Sequence, residues 1–404
     1  MSEPSAELPA PSENLTRRLP KSILYSGASK IGGTGLGLTA YESLLASYRG
    51  SFLGCAIGYA NEQTEIPSRY ITSLRAHPVR LLSFLSRPYY YGLKKHCADW
   101  VSSRKLSSGR FDLFHGWSGD CLRTLKVAKK LGIPSLIEIP TWHRNKGKIK
   151  PYKTQSERER DEALFPANLF SGLLVTRQQV LEEYELADII LLQSEKAKET
   201  FLVQGFDDER LVITGRGADA KRFAPGKLPP LFRALFVGAL IKRKGVHRIL
   251  QAWHQLNLKN AELLLVGSVH EEMKPYLERF SRPNIRIVGF SAQVEKLYQS
   301  ASVFVFPSEC EGSAKVTYEA AACGLAQITT REAGDVVRDG ENGLVIPCDD
   351  AEAIAEALLK LYRQPELLRE MGAAARRKFL SNGTWDHYRN RLLMAYEKAM
   401  EMAG

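Results

Sequence analysis

The sequence predicts an α/β protein built from two parallel-sheet domains that face a central cleft. Three observations predict it. A chain of 404 residues exceeds the size at which a single core keeps growing. Short apolar runs alternate with amphipathic stretches, the pattern of strands joined by crossover helices. The alternation then restarts after a stretch containing Pro225, Gly226, Pro229 and Pro230, which reads as a linker. Each half is Rossmann-like on this reading, and the cleft lies at the carboxyl ends of the strands.

The elements follow in order. Met1 to Pro20, rich in Pro, Ser and Glu, reads as a disordered leader without the basic-then-apolar order of a signal peptide. Ser22 to Ser26 is a strand that ends in a Gly-rich loop, Gly27 to Gly37, ahead of a helix over Leu38 to Tyr48. Ser51 to Gly58 is the next strand, and helical periodicity returns around Val79 to Val101. Phe111 to His115 is a strand, Asp120 to Leu131 a helix and Pro134 to Ile139 a strand. Residues 144 to 164 are dense in charge and read as a loop followed by a solvated helix. Asp188 to Leu192 is a strand, Ser194 suits an N-cap for Glu195 to Gln204, and Leu211 to Thr214 is a short strand.

The first domain therefore covers 21–220 and the second 231–380. In the second, strands fall on Arg233 to Val237, Ala261 to Val266, Ile285 to Val288, Val303 to Phe306, Ala326 to Thr329 and Gly343 to Ile346. Helices fall on Gly245 to Gln255, Glu271 to Phe280, Asp350 to Leu361 and Pro365 to Leu380, and a last amphipathic helix runs from Trp385 to Met402.

Composition narrows the function. The chain is 44% hydrophobic and 25% charged, with a net charge of +11, which attracts anions without choosing among them. No zinc-finger, RRM or helix-turn-helix pattern accompanies the charge, so nucleic acid ranks last. No stretch reaches the ~20 apolar residues that cross a bilayer. Six cysteines without CxxC spacing read as reduced thiols. Asp207-Asp208 and Asp349-Asp350 read as turn residues, and no acidic cluster suggests a metal-bridged diphosphate.

The segment Pro307 to Ala321 carries the most specific chemistry. It leaves a strand, passes Glu311, Gly312, Ser313 and Ala314, and opens a helix at Lys315 and Val316. Small residues let a phosphate approach the backbone, and the first helical N–H groups point at it. Glu319, two turns on, suits both hydroxyls of a ribose, and Glu311 suits sugar hydroxyls. A capped helix with two solvated glutamates fits the same residue types.

Glu311 and Glu319, seven residues apart within "FPSECEGSAKVTYEAAACGLA", resemble the E-x7-E motif of family 4 glycosyltransferases, also called glycosyl transferases group 1, which have the GT-B fold. Gly238 at a strand end, followed by Arg243-Lys244-Gly245, resembles the family's basic pair at the donor diphosphate. Ala187 to Ile190, Ser194-Glu195, Gly217 to Asp219, Arg222-Phe223 and Gly340 to Val345 resemble further family motifs, and the likeness covers residues 22 to 388. The resemblance implies a retaining transferase that takes a nucleoside diphosphate sugar as donor and a hydroxyl acceptor, with no metal. Lys244 and Arg243 would stabilise the leaving phosphate. Gly32 and Gly33 would meet phosphate and acceptor, and the helix from residue 381 would cross back to the first domain. A strand-end histidine faces the sugar in this family. His143 is nearer the expected position, although it follows Pro140 by a few residues, and His115 is the second candidate for the cleft. Two departures stand out. Ala239 replaces the arginine common after the strand-end glycine, and Arg216 adds a cation before Gly217.

Basic residues between Arg144 and Lys153, and the aromatic, basic stretch Pro78 to Trp100, suit either an anionic membrane or ordinary solvated and packed structure. The expected setting is cytoplasmic, with peripheral contact at the inner membrane face and polysaccharide or glycoconjugate assembly as the process. Three other readings compete. An epimerase or a phosphorylase of this fold is one, but no signature for lysine-bound pyridoxal phosphate stands out. A NAD-dependent dehydrogenase would need G-x-G-x-x-G, which Gly33 to Gly37 misses. A non-catalytic basic scaffold would be expected to lack Glu319 and Lys244.

Overall fold

The computed structural model describes residues 18–145 and 171–403. Residues 1–17 of the expected leader and residues 146–170, most of the charged segment that begins at Arg144, lie outside the described residues. The first sheet has seven parallel strands. They are β1 (Ile23–Ser26), β3 (Leu53–Gly58), β5 (Ile71–Ser73), β6 (Leu113–Trp117), β7 (Ser135–Glu138), β8 (Ile189–Leu192) and β9 (Leu211–Ile213), in the order β5-β3-β1-β6-β7-β8-β9. Two short strands, β2 (Lys30–Ile31) and β4 (Ala60–Asn61), pair separately. The second sheet has six, β10 (Phe232–Val237), β11 (Ala261–Val266), β12 (Ile285–Gly289), β13 (Val303–Phe306), β14 (Ala326–Thr329) and β15 (Gly343–Val345), in the order β12-β11-β10-β13-β14-β15. β1, β8 and β13 are apolar or small throughout and buried at every position, as strands covered on both faces must be.

Helices connect the strands. In the first half these are α1 (Leu36–Arg49), α2 (Arg87–Leu106), α3 (Leu122–Leu131), α4 (Arg177–Leu186) and α5 (Glu195–Leu202). In the second they are α6 (Val246–Gln255), α7 (Lys274–Arg279), α8 (Val294–Gln299), α9 (Lys315–Ala322), α10 (Ala351–Arg363) and α11 (Pro365–Asn382), followed by α12 (Trp385–Met402). Proline explains two departures from the predicted boundaries. The helix expected from Glu271 splits into a single turn, Glu271–Met273, and then α7, whose first turn carries Pro275. The helical stretch expected from Val79 is a 3-10 turn over Pro78–Leu82, and α2 begins later, with Pro88 in its first turn.

Helix α12 ties the two halves together. It leaves the second domain and packs on the first sheet. Trp385, Tyr388, Leu392, Ala395, Tyr396 and Ala399 recur every three to four residues and bury against Ile23, Leu113, Leu136, Ile189 and Leu191. Two of its tyrosines also make polar contacts in the interior. The Tyr388 hydroxyl donates to Glu138 Oε1 at 2.6 Å and lies 2.7 Å from Ser43 Oγ. The Tyr396 hydroxyl lies 2.8 Å from His115 Nδ1.

Tyr388→Ala should therefore cost about 3–5 kcal/mol of stability. Met394→Ala, at a side chain 61% exposed on the same helix, should change it by less than about 0.5 kcal/mol. Chemical denaturation checks both, and equal midpoints for the two variants would contradict the packing described.

Candidate active site

The carboxyl ends of both parallel sheets point toward the space between the domains. Strand β10 is followed by Gly238, whose φ of +148° suits only glycine. The chain then makes a single 3-10 turn, Lys242–Lys244, closed by Gly245 at φ +70°. That turn folds Lys244 back over Gly238. A Cβ on Gly238 would lie 2.9 Å from Lys244 Nζ, and one on Gly245 would lie 2.3 Å from the Pro307 carbonyl oxygen. The two glycines thus bring the basic turn against the loop that leaves β13.

The two cations of this turn are placed differently. Arg243 is committed: Nη1 pairs with Glu311 Oε1 at 2.9 Å and also donates to the Cys310 carbonyl. Ser308 Oγ lies 3.3 Å from Glu311 Oε1 as well, so Glu311 is held within its own loop. Lys244 has no carboxylate paired with it among the described residues. Burial pushes its pKa below the usual lysine range, and Glu311 acts in the opposite sense. An ammonium in this condition gains from any anion that enters.

Gly312, Ser313 and Ala314 are buried, and Lys315 and Val316 are half-buried at the start of α9. Ala314 N donates to the Ala333 carbonyl at 2.8 Å, and no side chain caps the helix. Its first turn contains no acidic residue. Gly312 is also where the domains meet. A Cβ there would lie 2.6 Å from the Pro140 carbonyl oxygen and 2.7 Å from Gln193 Oε1. Ser194 Oγ donates to the Gly312 carbonyl at 2.5 Å, and Glu195 N donates to Asp335 at 2.7 Å.

Glu319 differs from the expectation of a carboxylate open to ribose hydroxyls. It is buried, Lys315 Nζ pairs with Oε1 at 2.7 Å, and the Tyr298 hydroxyl donates to Oε2 at 3.0 Å. Gly32 and Gly33 sit in the loop that leaves β1, with φ values of +94° and +76°. Gly32 N donates to the Gly37 carbonyl at 2.9 Å, and a Cβ on Gly33 would lie 2.7 Å from Glu62 Oε2.

Neither histidine lines the cleft. His143 is packed among Tyr184, Phe201 and Phe206, with ring centroids 5.1, 4.8 and 5.6 Å away. Its Nδ1 accepts from Asn145 N at 3.1 Å, and burial lowers its pKa to about 4. The cause is position: Pro140 to Trp142 carry the chain past the strand end before His143 is reached. His115 is fully buried inside β6, between Tyr25 and Tyr396, and desolvation lowers its pKa to about 3.

Other side chains are brought to the site that sequence reasoning did not select. The Arg216 guanidinium is buried between the domains, and its Nε donates to Gln193 Oε1 at 3.0 Å. The Tyr318 hydroxyl accepts from Arg216 N at 3.1 Å and lies 3.0 Å from Ser313 Oγ. The departure at Arg216 was the only signal in the chain. A cavity of about 330 Å³ lies beside α2 and α3, lined in part by Lys95, His96, Asp120, Arg123 and Glu183. Lys95 Nζ pairs with Asp120 Oδ1 at 2.8 Å within it. His247, Glu309 and Asp349 bring one donor atom each within 4.8 Å of one another. Asp349 is already forked by Arg248, at 2.6 and 3.0 Å, a cation that opposes a metal there.

Two parallel-sheet domains with a basic turn and a bare helix start at their junction define a GT-B fold. Residues 232–364 match the family described as glycosyl transferases group 1. It is 32% identical over 163 residues to the capsular polysaccharide biosynthesis glycosyltransferase CapM of Staphylococcus aureus, covering 37% of this chain and 43% of that one. It is 28% identical over 257 residues to the D-inositol 3-phosphate glycosyltransferase of Rhodococcus erythropolis, 56% of each chain. The matches span about half the length of these curated relatives. Among solved structures, HepE of Anabaena in complex with UDP and glucose superposes with a TM-score of 0.64 at 15% identity, over 93% of this chain and 99% of that one. Sucrose-phosphate synthase of Thermosynechococcus elongatus superposes with a TM-score of 0.67 at 19% identity, over 93% and 97%.

The buried groups predict a pH dependence of stability. Burial raises the pKa of Glu138 from 4.5 to about 7 and that of Glu183 from 4.5 to about 8. A raised carboxyl binds more protons folded than unfolded between its two values, so its contribution is lost as pH rises through the folded value. The lowered histidines, His115, His143, His247 and His387, act oppositely, and their contribution is complete above pH 6.5. From about pH 6.5 to 8 the histidines no longer contribute while Glu138 and Glu183 still release protons, so these two carboxyls should pull the thermal midpoint down across that window. Glu138→Gln should flatten the fall by an amount on the order of 1 kcal/mol. An unchanged slope in that variant would rule out a protonated Glu138.

Proposed function

We propose that this chain is a retaining glycosyltransferase. It moves a sugar from a nucleoside diphosphate sugar to a hydroxyl acceptor, without a metal. The setting is polysaccharide or glycoconjugate assembly in the cytoplasm, with peripheral contact at the inner membrane face. One observation carries the reading. Lys244 folds over the bare backbone of Gly238, beside the uncapped start of α9, and lacks a paired carboxylate among the described residues. A diphosphate is the ligand that completes such a site. Its oxygens satisfy the helix N–H groups and restore a counter-charge to the ammonium. Relatives described as glycosyltransferases, and a structural neighbour solved with UDP-glucose, support the donor class.

The chemistry follows from where charge grows. As the bond from sugar to β-phosphate stretches, negative charge collects on the leaving oxygen. Lys244 and the first N–H groups of α9 are positioned to stabilise that charge more than the ground state, which is the differential that lowers a barrier. Arg243 contributes through Glu311, which it fixes for the sugar hydroxyls. Front-face attack by the acceptor keeps the anomeric configuration, and the departing phosphate takes the acceptor proton. Glu319 reaches the ribose by exchanging its contact with Lys315.

Thermal-shift measurements against UDP, GDP, ADP, TDP and their sugar conjugates test the donor. One nucleotide should stabilise the protein by about 2.7 kcal/mol at a hundredfold excess over its dissociation constant. Lys244→Met should reduce that shift and lower turnover roughly 100- to 1,000-fold. Glu319→Gln should weaken binding and, because it breaks the buried pair with Lys315, also lower the unliganded midpoint. No shift with any nucleoside diphosphate or its sugar conjugate would end the proposal. Proton NMR of the product reads the stereochemistry, and an inverted anomer would end the retaining mechanism alone.

A further inference from the structure

We propose that residues 78 to 91 form the surface by which this protein docks on an anionic lipid bilayer, so that its acceptor is anchored in that bilayer. The charge is concentrated there. Residues 69 to 110 contain nine Lys or Arg and one acid, Asp99, a net +8 within a chain of +11. Asp99 does not reach the surface. It is 8% exposed, and its carboxylate accepts from Arg123 N and Thr124 N, both at 2.8 Å. Arg75 and Arg80 flank the apolar residues and are exposed.

The apolar part is a single feature. Leu81 is 78% and Phe84 77% exposed. Ser83 N donates to the Arg80 carbonyl and Leu85 N to the Leu82 carbonyl, both at 3.1 Å, so the 3-10 spacing runs on beyond Leu82. In that spacing residues three apart lie on one side, which puts Leu81 and Phe84 together. Tyr91, 46% exposed, follows in the first turns of α2. Lys94 Nζ lies 4.3, 5.1 and 5.2 Å from the ring centroids of Tyr59, Tyr90 and Tyr91. Tyrosine rings around a lysine suit the zone where headgroups meet hydrocarbon. Two large apolar side chains left in water beside cations, with no acid at the surface, match an anionic interface in both respects. No helix among the described residues is long and apolar enough to cross a membrane, so the contact is a docking rather than a span.

Position links this face to the cleft. The chain enters the segment from the carboxyl end of β5, which runs parallel to β3 and β1. The loop of Gly32 and Gly33 leaves β1 at the same edge, and the cavity lined by Lys95 and Asp120 opens where β6 ends. A bilayer under residues 78 to 91 therefore lies beside the acceptor half of the cleft. That consequence rests on the glycosyltransferase reading; the docking itself does not.

Flotation of the full chain with vesicles tests the docking. One set is phosphatidylcholine alone and the other equal parts phosphatidylcholine and phosphatidylglycerol. The protein should float with the anionic vesicles, stay behind with the neutral ones, and be released by salt. Leu81→Ser with Phe84→Ser, and separately Arg75→Glu with Arg80→Glu, should each lower binding at least about tenfold. These four side chains are exposed, so the thermal midpoint and its shift by the donor nucleotide should stay as they are. A wild-type chain that ignores anionic vesicles, or either double variant that binds like wild type, overturns the docking. Docking that survives while no nucleotide shifts the midpoint would leave the surface standing and remove the transferase reading.

Discussion

The structure turns on a buried carboxyl group that has no lysine or arginine paired with it among the described residues. Glu138 is the last residue of β7, and its Oε1 receives the hydroxyls of Tyr388 from α12 and Ser43 from α1. His115 Nε2 lies 3.6 Å away on the adjacent strand. Desolvation raises the Glu138 pKa to about 7, and the Tyr388 and Ser43 hydroxyls act in the opposite sense, so the acid carries less charge here than a carboxylate in water and its burial costs correspondingly less. Three elements are thereby fixed to one point: the helix that returns from the second domain, the helix after the glycine loop, and the strand whose next residues, Ile139 and Pro140, reach Gly312. The geometry at the cleft depends on that anchor, because the Pro140 carbonyl and Gln193 close on Gly312 within distances that only a glycine tolerates.

This arrangement also sorts the two basic residues of the Lys242–Lys244 turn. Arg243 carries a planar fork with several donors, and its Nη1 bonds both Glu311 and the Cys310 carbonyl, so it is a structural clamp on the loop. Lys244 is a point charge on a flexible stem, lodged over a glycine and the Phe306 ring, 5.4 Å from its centroid. A cation that is partly desolvated and unclaimed is costly in the empty protein and inexpensive once a phosphate arrives. Adjacent residues of the same sign thus serve different ends, one holding the site together and the other meeting the charge that enters.

Much of the architecture was legible in the sequence because its signals are local. Val303 to Phe306 and Ala326 to Thr329 read as strands from unbroken apolar runs, and the restart after Pro225 to Pro230 marked the second sheet. Elements too short to show a period were not legible: β5 has three residues, and α8 has six. The loop holding Glu311 was legible from its spacing, but the pairing of Lys315 with Glu319, four residues apart on one helix face, was not anticipated. The surroundings of single side chains were not. Tyr298 reaches Glu319 from another helix, and the Tyr184, Phe201 and Phe206 box around His143 is assembled from residues 41 to 63 positions downstream. A histidine near a strand end looks the same in sequence whether it faces a ligand or three aromatic rings, because the deciding contacts are long-range.

The distribution of charge then explains why a cleft enzyme of this kind carries so basic a first domain. The proposed donor site needs few cations: Lys244 and Arg243 lie in the turn after β10, and Arg216 lies between the domains. Most of the excess lies elsewhere, around α2, where the acid of the segment is turned inward to bond the backbone at the start of α3. Charges far from the reacting bond do not lower its barrier. They raise the local concentration of an anionic partner and set its orientation, and they act over about 10 Å at ordinary ionic strength. Placed at the carboxyl edge of the first sheet, such charge favours an acceptor presented from a surface over one that diffuses in freely. The same edge carries Leu81 and Phe84, both exposed. Attraction and insertion therefore point at one interface, and the cleft opens beside it.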